Sequence, residues 1–458
     1  MMKKKIFFAS RPTHGVYRAI NLGCKKHAEK LTKSNFELKF FKKKIPSIGF
    51  FIFFFKNIIN FNFINKKKYL NLTYRKCEIG RHATAMTYRD INTYHSIFHK
   101  LFNLIRYFFW SGMYVDHAYF IADDIDAAYI DHCGYLNGLY FRVFALKKKI
   151  IYTNNHPRGL FFIDFSKIKN KRLNANENAI RLFKVKKKYN LANSQKKILY
   201  FIKNPKLIPW MSTTKYKNIS IPKSKIQNYD YVVYCHSFLD GNLWFGNDGF
   251  SNLRDWLEYT LEELKKNNEK VIIKAHPNFY NKVVGEYAVR DKKIFDEIKN
   301  KYQNKNFLFI NESIPNSELM KRLSKKTILI SHHGTSLLEG SVCGFKTICS
   351  MSTIWSPNFN ISNQWFNPKD YSKVLKKKWK ELRFTNIKDL NIVLYQLTKN
   401  KYAFCGNFHF HKIICRHFKI NNFQYHSKYL IDLMNKTPQD SINKLASKLS
   451  SNVEKIYL

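Results

Sequence analysis

Two short stretches carry the residue types that could do chemistry. In "VIIKAHPN", residues 271–278, an apolar run gives way to His276, Pro277 and Asn278. In "ILISHHGTSLLEG", residues 328–340, a second apolar run gives way to His332, His333, Gly334, Thr335 and Ser336. The apolar segment that follows is interrupted by one acid, Glu339. Imidazoles, hydroxyls and the free amides at the start of a helix together suit an anion, and phosphate above all. Glu339 would sit about one turn into that helix, placed to accept from a ribose diol. Gly334 is expected where the strand turns tightly into the helix, through close backbone approach or a positive φ.

If the ligand is a nucleotide that departs in a group transfer, negative charge develops on its phosphate. Dipoles, hydroxyls and His276 can stabilise that charge without a metal. The acceptor must also lose a proton, so a base or nucleophile has to face the same cleft. Asp131 follows "AAYI" beside His132, His14 lies in the loop after the first strand, and Asp240 follows the strand bearing His236. These are the candidates for the catalytic group. Each also reads as an ordinary turn or helix-capping residue.

The elements that would position these residues alternate in type. Tyr231–Ser237, Lys270–Ala275, Phe307–Ile310, Thr327–Ser331 and Lys346–Ser350 read as strands. Between them, helices are predicted at Leu253–Lys266, near Asp291–Tyr302, at Ser317–Leu323 and at Ser336–Val342. Alternation at this spacing predicts a doubly wound parallel sheet, with ligands beyond the carboxyl ends of the strands. The first half reads similarly. Strands are expected at Lys5–Ala9, Tyr119–Ala122, Ala128–Asp131 and Lys149–Thr153, with helices near 16–31 and Leu136–Lys147 and an amphipathic segment over Ile91–Trp110. Residues 34–80 give no clear pattern beyond the apolar run "IGFFIFFF" at Ile48–Phe55, a buried segment or an interfacial anchor. Prolines and polar residues gather at Ile208–Ile226 as a linker. The expected architecture is α/β, two Rossmann-like domains facing a cleft. Residues 1–210 are expected to form an N-terminal α/β domain, 227–400 a C-terminal Rossmann-like domain that carries both motifs, and 401–458 a helical extension.

At "VIIKAHPN" and "LISHHGTSLLEGSVCGFKTI" the sequence resembles the GT-B-fold glycosyltransferases of bacterial capsule and surface-polysaccharide assembly. These include capsule Kdo transferases, polysialyltransferases and CDP-glycerol polymerases. Residues 236–264 are similar to a segment that precedes the strand-His-Pro motif in capsule-synthesis proteins, and 77–155 resemble their N-terminal halves more weakly. The resemblance implies a nucleotide-sugar co-substrate, CMP- or CDP-linked, with a glycan or glycolipid acceptor and no cofactor. His276, in its His-Pro pair with Pro277, matches the family's donor-phosphate histidine. Thr335 and Ser336 match its small hydroxyl residues and Glu339 its acid near the ribose. The polysialyltransferase acidic-acidic-Gly motif has no counterpart in the first half, which leaves the base open among the three candidates. A non-hydrolysing nucleotide-sugar epimerase of the same fold is the rival enzyme, and a basic binding protein without catalysis is the rival from another class.

Composition bounds these readings. The 458 residues carry a formal charge of +48 with 45% apolar residues. Charge of that size points to nucleic acid or an anionic membrane surface. The excess is mostly lysine in scattered short runs, with no zinc-finger spacing, RNA-recognition signature or dense arginine stripe, which argues against nucleic acid. No apolar run reaches the roughly 20 residues of a membrane-spanning helix. The N-terminal apolar part, Ile6–Ala9, is too short for a signal peptide and reads as a first core strand. Eight scattered cysteines suit a reducing compartment. The expectation is a cytoplasmic protein, peripheral on the inner face of the cytoplasmic membrane. No metal is expected. Cys405, His409, His411, Cys415 and His417 match no common zinc spacing and read as packing, and Asp123, Asp124 and Asp126 read as a turn.

Overall fold

The computed structural model describes residues 4–9, 15–40, 46–58, 69–90, 97–130, 135–154, 160–165, 196, 199, 221–243, 247–280, 286–353, 355–356, 359–399, 438–451 and 453–455. Two six-stranded sheets organise them. The first contains β1 (Lys4–Phe8), β2 (Phe36–Phe40), β3 (Ala127–Ile130), β4 (Ile150–Asn154), β5 (Leu160–Asp164) and β12 (Glu454–Lys455). Its order is β12-β5-β4-β3-β1-β2, parallel except where β5 runs against β4. Alternation along β1 sends Ile6 and Phe8 to one apolar layer and Phe7 to the other.

Helices cover both faces of this sheet. α1 (Gly15–Thr32) brings Ile20, Cys24 and Ala28 to one side. On the other lie α2 (Ile48–Ile58), α3 (Ile79–Asp90), α4 (Ile97–Ala122) and α5 (Tyr135–Leu146). The strand expected at Tyr119–Ala122 is instead the last turn of α4. Ala118 and Ala122 are buried at helical spacing, so packing overrides the β preference of "YFIA". Asp123, Asp124 and Asp126 form the turn that follows: Asp123 meets Lys147, Asp124 meets Lys5, and Asp126 accepts from the Lys5 amide.

The second sheet contains β6 (Tyr231–Tyr234), β7 (Val271–Lys274), β8 (Phe307–Ile310), β9 (Ile328–Ile330), β10 (Thr347–Ser350) and β11 (Asn363–Trp365). It is parallel throughout, in the order β11-β10-β9-β6-β7-β8. This is the Rossmann strand order, and the winding reverses between β6 and β9. One face carries α6 (Leu253–Lys266), α7 (Glu286–Tyr302) and α10 (Pro368–Leu375). The opposite face carries α8 (Asn316–Met320), α9 (Ser336–Val342) and α11 (Ile387–Lys399). α6 shows why these helices form where they do. Asn252 caps it by accepting from the Asp255 amide at 2.8 Å, and Leu253, Trp256, Leu257, Thr260, Leu261 and Leu264 are buried along one stripe.

The architecture is therefore α/β with two Rossmann-like domains, the GT-B type. A seam joins them: Arg81 of α3 donates to the Leu243 carbonyl at 2.9 Å, and Leu243 enters the first domain's core. Asn247 donates to Asn71 across the same seam at 3.1 Å. The C-terminal segment returns to the first domain. α12 (Gln439–Ser450) packs Ile442, Leu445 and Leu449 with α1, and β12 pairs with β5. Residues Cys405, His409, His411, Cys415 and His417 lie outside the described residues.

Candidate active site

Three strands of the second sheet end on histidine. β6 leads through Cys235 to His236, β7 through Ala275 to His276, and β9 through Ser331 to His332 and His333. Because the strands are parallel and in register, these ends lie side by side. His236 bridges the group, with its ring centroid 4.1 Å from His333 and 5.3 Å from His276. The cluster therefore straddles the β6–β9 reversal, the position where such sheets bind ligands.

The two adjacent histidines differ in their surroundings. His332 Nε2 lies 2.7 Å from Asp248 Oδ2, and Asp248 also takes the hydroxyl of Ser350. Burial alone would raise the Asp248 carboxyl, but His332, Ser350 and the Phe250 amide together hold it below its ordinary value. An ionised carboxylate only accepts, so His332 Nε2 carries the proton. His332 Nδ1 lies 2.8 Å from His333 Nδ1. One of these two nitrogens donates and the other accepts. His332 is thus the positioning member and His333 the one facing His236.

Burial pushes the imidazoles of His236, His276 and His333 below the ordinary range, His276 and His333 well below it. The neighbouring histidines add to the shift in each, and Lys274 adds to that of His276. These three imidazoles are therefore neutral near pH 7.

Beyond β9 the chain passes through Gly334, Thr335 and Ser336 into α9. Thr335 is exposed and Ser336 half-buried. Gly334 is not among the glycines of positive φ, which corrects one of the two expected reasons for it. The space beside it is limited by serine side chains. A Cβ there would lie 2.7 Å from Ser331 Oγ and 3.1 Å from Ser336 Oγ. A glycine of positive φ follows α9 instead: Gly344, at +83°, ends the helix with Phe345 N–H on the Gly340 carbonyl and Gly344 N–H on that of Ser341.

Glu339 is buried, and Asn316 donates to its Oε2 at 2.7 Å. Burial raises its carboxyl to about 6, while Asn316 and Lys274 pull the other way. Lys274, buried inside β7, is pushed down to about 8 by burial.

The loop after β6 is anchored by Asp291 of α7. Asp291 accepts from Ser237 Oγ at 2.5 Å and from the Phe238 and Leu239 amides at 2.8 and 3.1 Å. Asp240 stands exposed on this loop, in the same domain as the histidines. Pro277 opens a 3-10 turn, Pro277–Tyr280, directly after His276. Asp131 and His14 lie outside the described residues. Sequence reasoning passed over His236, although "YVVYCHS" repeats the strand-then-histidine pattern of "VIIKAHPN". Lys274 was signalled by a charge inside an apolar strand. Asp248, in "FGNDGF", and Asp291, inside a charged helix, gave no signal of their own.

No protein-family model matches the chain, and neither does any curated protein. Among solved structures it is similar to KpsC of Thermosulfurimonas dismutans, a β-Kdo 2,4-transferase, at 10% identity and TM-score 0.37, over 59% of this chain and 80% of that one. A UDP-GlcNAc 2-epimerase of Methanocaldococcus jannaschii, in complex with UDP-GlcNAc and UDP, is matched at 13% identity and TM-score 0.26, over 87% and 100%. The trehalose-6-phosphate synthase OtsA is matched at 11% and 0.32, over 87% and 96%. The chain resembles GT-B capsule glycosyltransferases at its strand-end motifs, and its own strand orders define the two-domain fold.

Proposed function

We propose that the chain is a glycosyltransferase of capsule or other surface-polysaccharide assembly, moving a sugar from a CMP- or CDP-linked donor to a glycan or glycolipid acceptor. The observation that supports this is the meeting of His236, His276 and His333 across the reversal point of a Rossmann-ordered sheet, beside the exposed turn at Thr335. In this reading the donor phosphate lies against the imidazole of His276 and the amides of Thr335 and Ser336. A neutral His276 presents one N–H donor to the oxygens on which charge develops as the glycosidic C–O bond breaks. Gly334 keeps the turn free of a side chain, and Glu339 accepts from the ribose hydroxyls. His332, held by Asp248, orients His333. The acceptor's proton passes to a base for which Asp131, His14 and Asp240 remain the candidates. The chemistry requires no metal in this scheme.

A screen of CMP-, CDP-, UDP- and GDP-sugars, each with and without a lipid-linked glycan acceptor, tests the reading. Acceptor-dependent release of CMP or CDP is the expected result. Epimerisation of a free nucleotide sugar without acceptor would establish the rival enzyme, and absence of any nucleotide turnover or binding would refute both.

A further inference from the structure

α2 is apolar on both faces. Phe50 and Phe54 are buried, whereas Ile48, Ile52 and Phe55, on the opposite side at helical spacing, are 79, 65 and 62% exposed. A surface helix in water ordinarily turns polar residues outward. The apolar surface continues onto α4. Phe50 fills the space where a Cβ on Gly112 would fall, and Phe54 meets Phe108 with ring centroids 5.7 Å apart. These contacts make the two helices antiparallel, so the C-terminal end of α2 points toward the first half of α4. There Phe98 and Phe102 are 78 and 64% exposed. Their spacing puts them on the side of α4 that carries Phe109, on which α2 packs.

The charged residues of α2, and of α4 as far as Val115, are all cationic: Lys56, Lys100 and Arg106. Residues 38–77 contain ten Lys or Arg and no Asp or Glu, and residues 91–115 contain Lys100 and Arg106 and again no acid. Lys56 is exposed at the end of the α2 face. Arg106 lies over the rings of Tyr107 and Trp110, at 4.8 and 5.5 Å. Exposed apolar side chains flanked by these cations complement an anionic bilayer; Asp116, which accepts from Ser47 at the start of α2, is buried and paired with Arg75. The apolar groups enter the headgroup–acyl boundary and the cations stay among the lipid phosphates. A nucleic-acid backbone would leave the apolar groups in water. Among the described residues no helix is long and apolar enough to cross a membrane, so the contact is one of lying on the surface.

We propose that α2 and the first half of α4 form the surface by which this protein docks on an anionic lipid bilayer, inserting Ile48, Ile52, Phe55, Phe98 and Phe102. The proposal does not depend on the assignment of the histidine cluster, and each can fail without the other.

Flotation of the full chain with phosphatidylcholine vesicles, with and without roughly one-third phosphatidylglycerol, tests it. The chain should float with the anionic vesicles and at least about tenfold less with neutral ones, and the difference should shrink as salt rises. Ile52→Glu with Phe55→Glu should reduce anionic-vesicle binding at least about tenfold while circular dichroism stays that of the parent. Phe98→Glu with Phe102→Glu, on the other helix, should do the same and covers the case in which the first pair disturbs folding. Parental vesicle binding by folded variants would overturn the proposal. So would a chain that ignores both vesicle types and instead self-associates through these residues.

Discussion

His332 Nε2 lies 2.7 Å from Asp248 Oδ2, and the other nitrogen of the same ring lies 2.8 Å from His333 Nδ1. Asp248→Asn keeps the shape, but an amide can present either its oxygen or its NH2 group, so the tautomer is no longer imposed. The variant should lose roughly 2–3 kcal/mol of stability at neutral pH. Asp248 has a depressed carboxyl in the folded state, so its contribution is present above its unfolded pKa of about 4. It is lost as pH falls through the folded value, and the gap between parent and variant should close in acid. Urea denaturation across pH is the check. A gap that does not change with pH would show that the carboxylate's charge is not what holds His332.

Glu339 gives the opposite sign. Its folded carboxyl, at about 6, stands above the ordinary 4.5 because burial penalises the charge. The stability it contributes is present below 4.5 and lost as pH rises through about 6, a change of about 2 kcal/mol. Lys274, at about 8, stays protonated over that window. Glu339→Gln should therefore gain about 2 kcal/mol on the parent between about pH 4 and pH 7. The same variant should lose preference for ribose over deoxyribose nucleotides. A stability difference that does not vary with pH would contradict the assignment of this carboxyl.

Gly334→Ala should act through Ser331. The new Cβ would lie 2.7 Å from Ser331 Oγ, which donates to the Tyr234 carbonyl at 3.0 Å. Displacing that hydroxyl should cost about 1 kcal/mol, and the added bulk should weaken binding of every nucleotide alike. The penalty to stability should shrink in a Ser331→Ala background, since the clash is then absent. Additive effects in that double-mutant cycle would mean that the two residues are not coupled.

The second domain was more legible in the sequence than the first because its strands β6 to β10 are short, largely apolar runs that end abruptly, whereas β11, "NQW", gave no such signal. "VIIKAHPN" and "ILISHHG" show both the buried strand and the polar end where a ligand sits, and α6 shows its buried stripe and its Asn252 cap. In the first domain, aromatic residues blur the pattern. "YFIA" looks like a strand but finishes α4, and β2 and α2 lie within an aromatic, lysine-rich segment with no visible period. β12, a strand of two residues, could not be read without the sheet it joins. At the site, local sequence shows which residues end the strands. It does not show that Asp248 comes to His332, because that contact depends on a loop folding back across 84 positions of chain.

The neutral state of the histidines makes ligand binding a proton-linked event. Burial holds His236, His276 and His333 low, with Lys274 and the neighbouring rings contributing and Asp240 opposing at His236. An arriving phosphate brings negative charge and favours the imidazolium form. Calorimetry in buffers of different ionisation enthalpy should show proton uptake near pH 7 on nucleotide binding. Binding with no proton exchange would place the phosphate away from the cluster.

The central claim is that the phosphate of a nucleotide donor rests on the strand-end histidines, and titration of CMP and CDP into the parent and into His276→Ala tests it most directly. A hydrogen bond to a charged phosphate is worth roughly 1.5–3 kcal/mol. The account predicts that the parent binds at least one of the two nucleotides. His276→Ala, with an unchanged circular dichroism spectrum, should bind it about tenfold to a hundredfold more weakly. A folded His276→Ala protein with the affinity of the parent would contradict it.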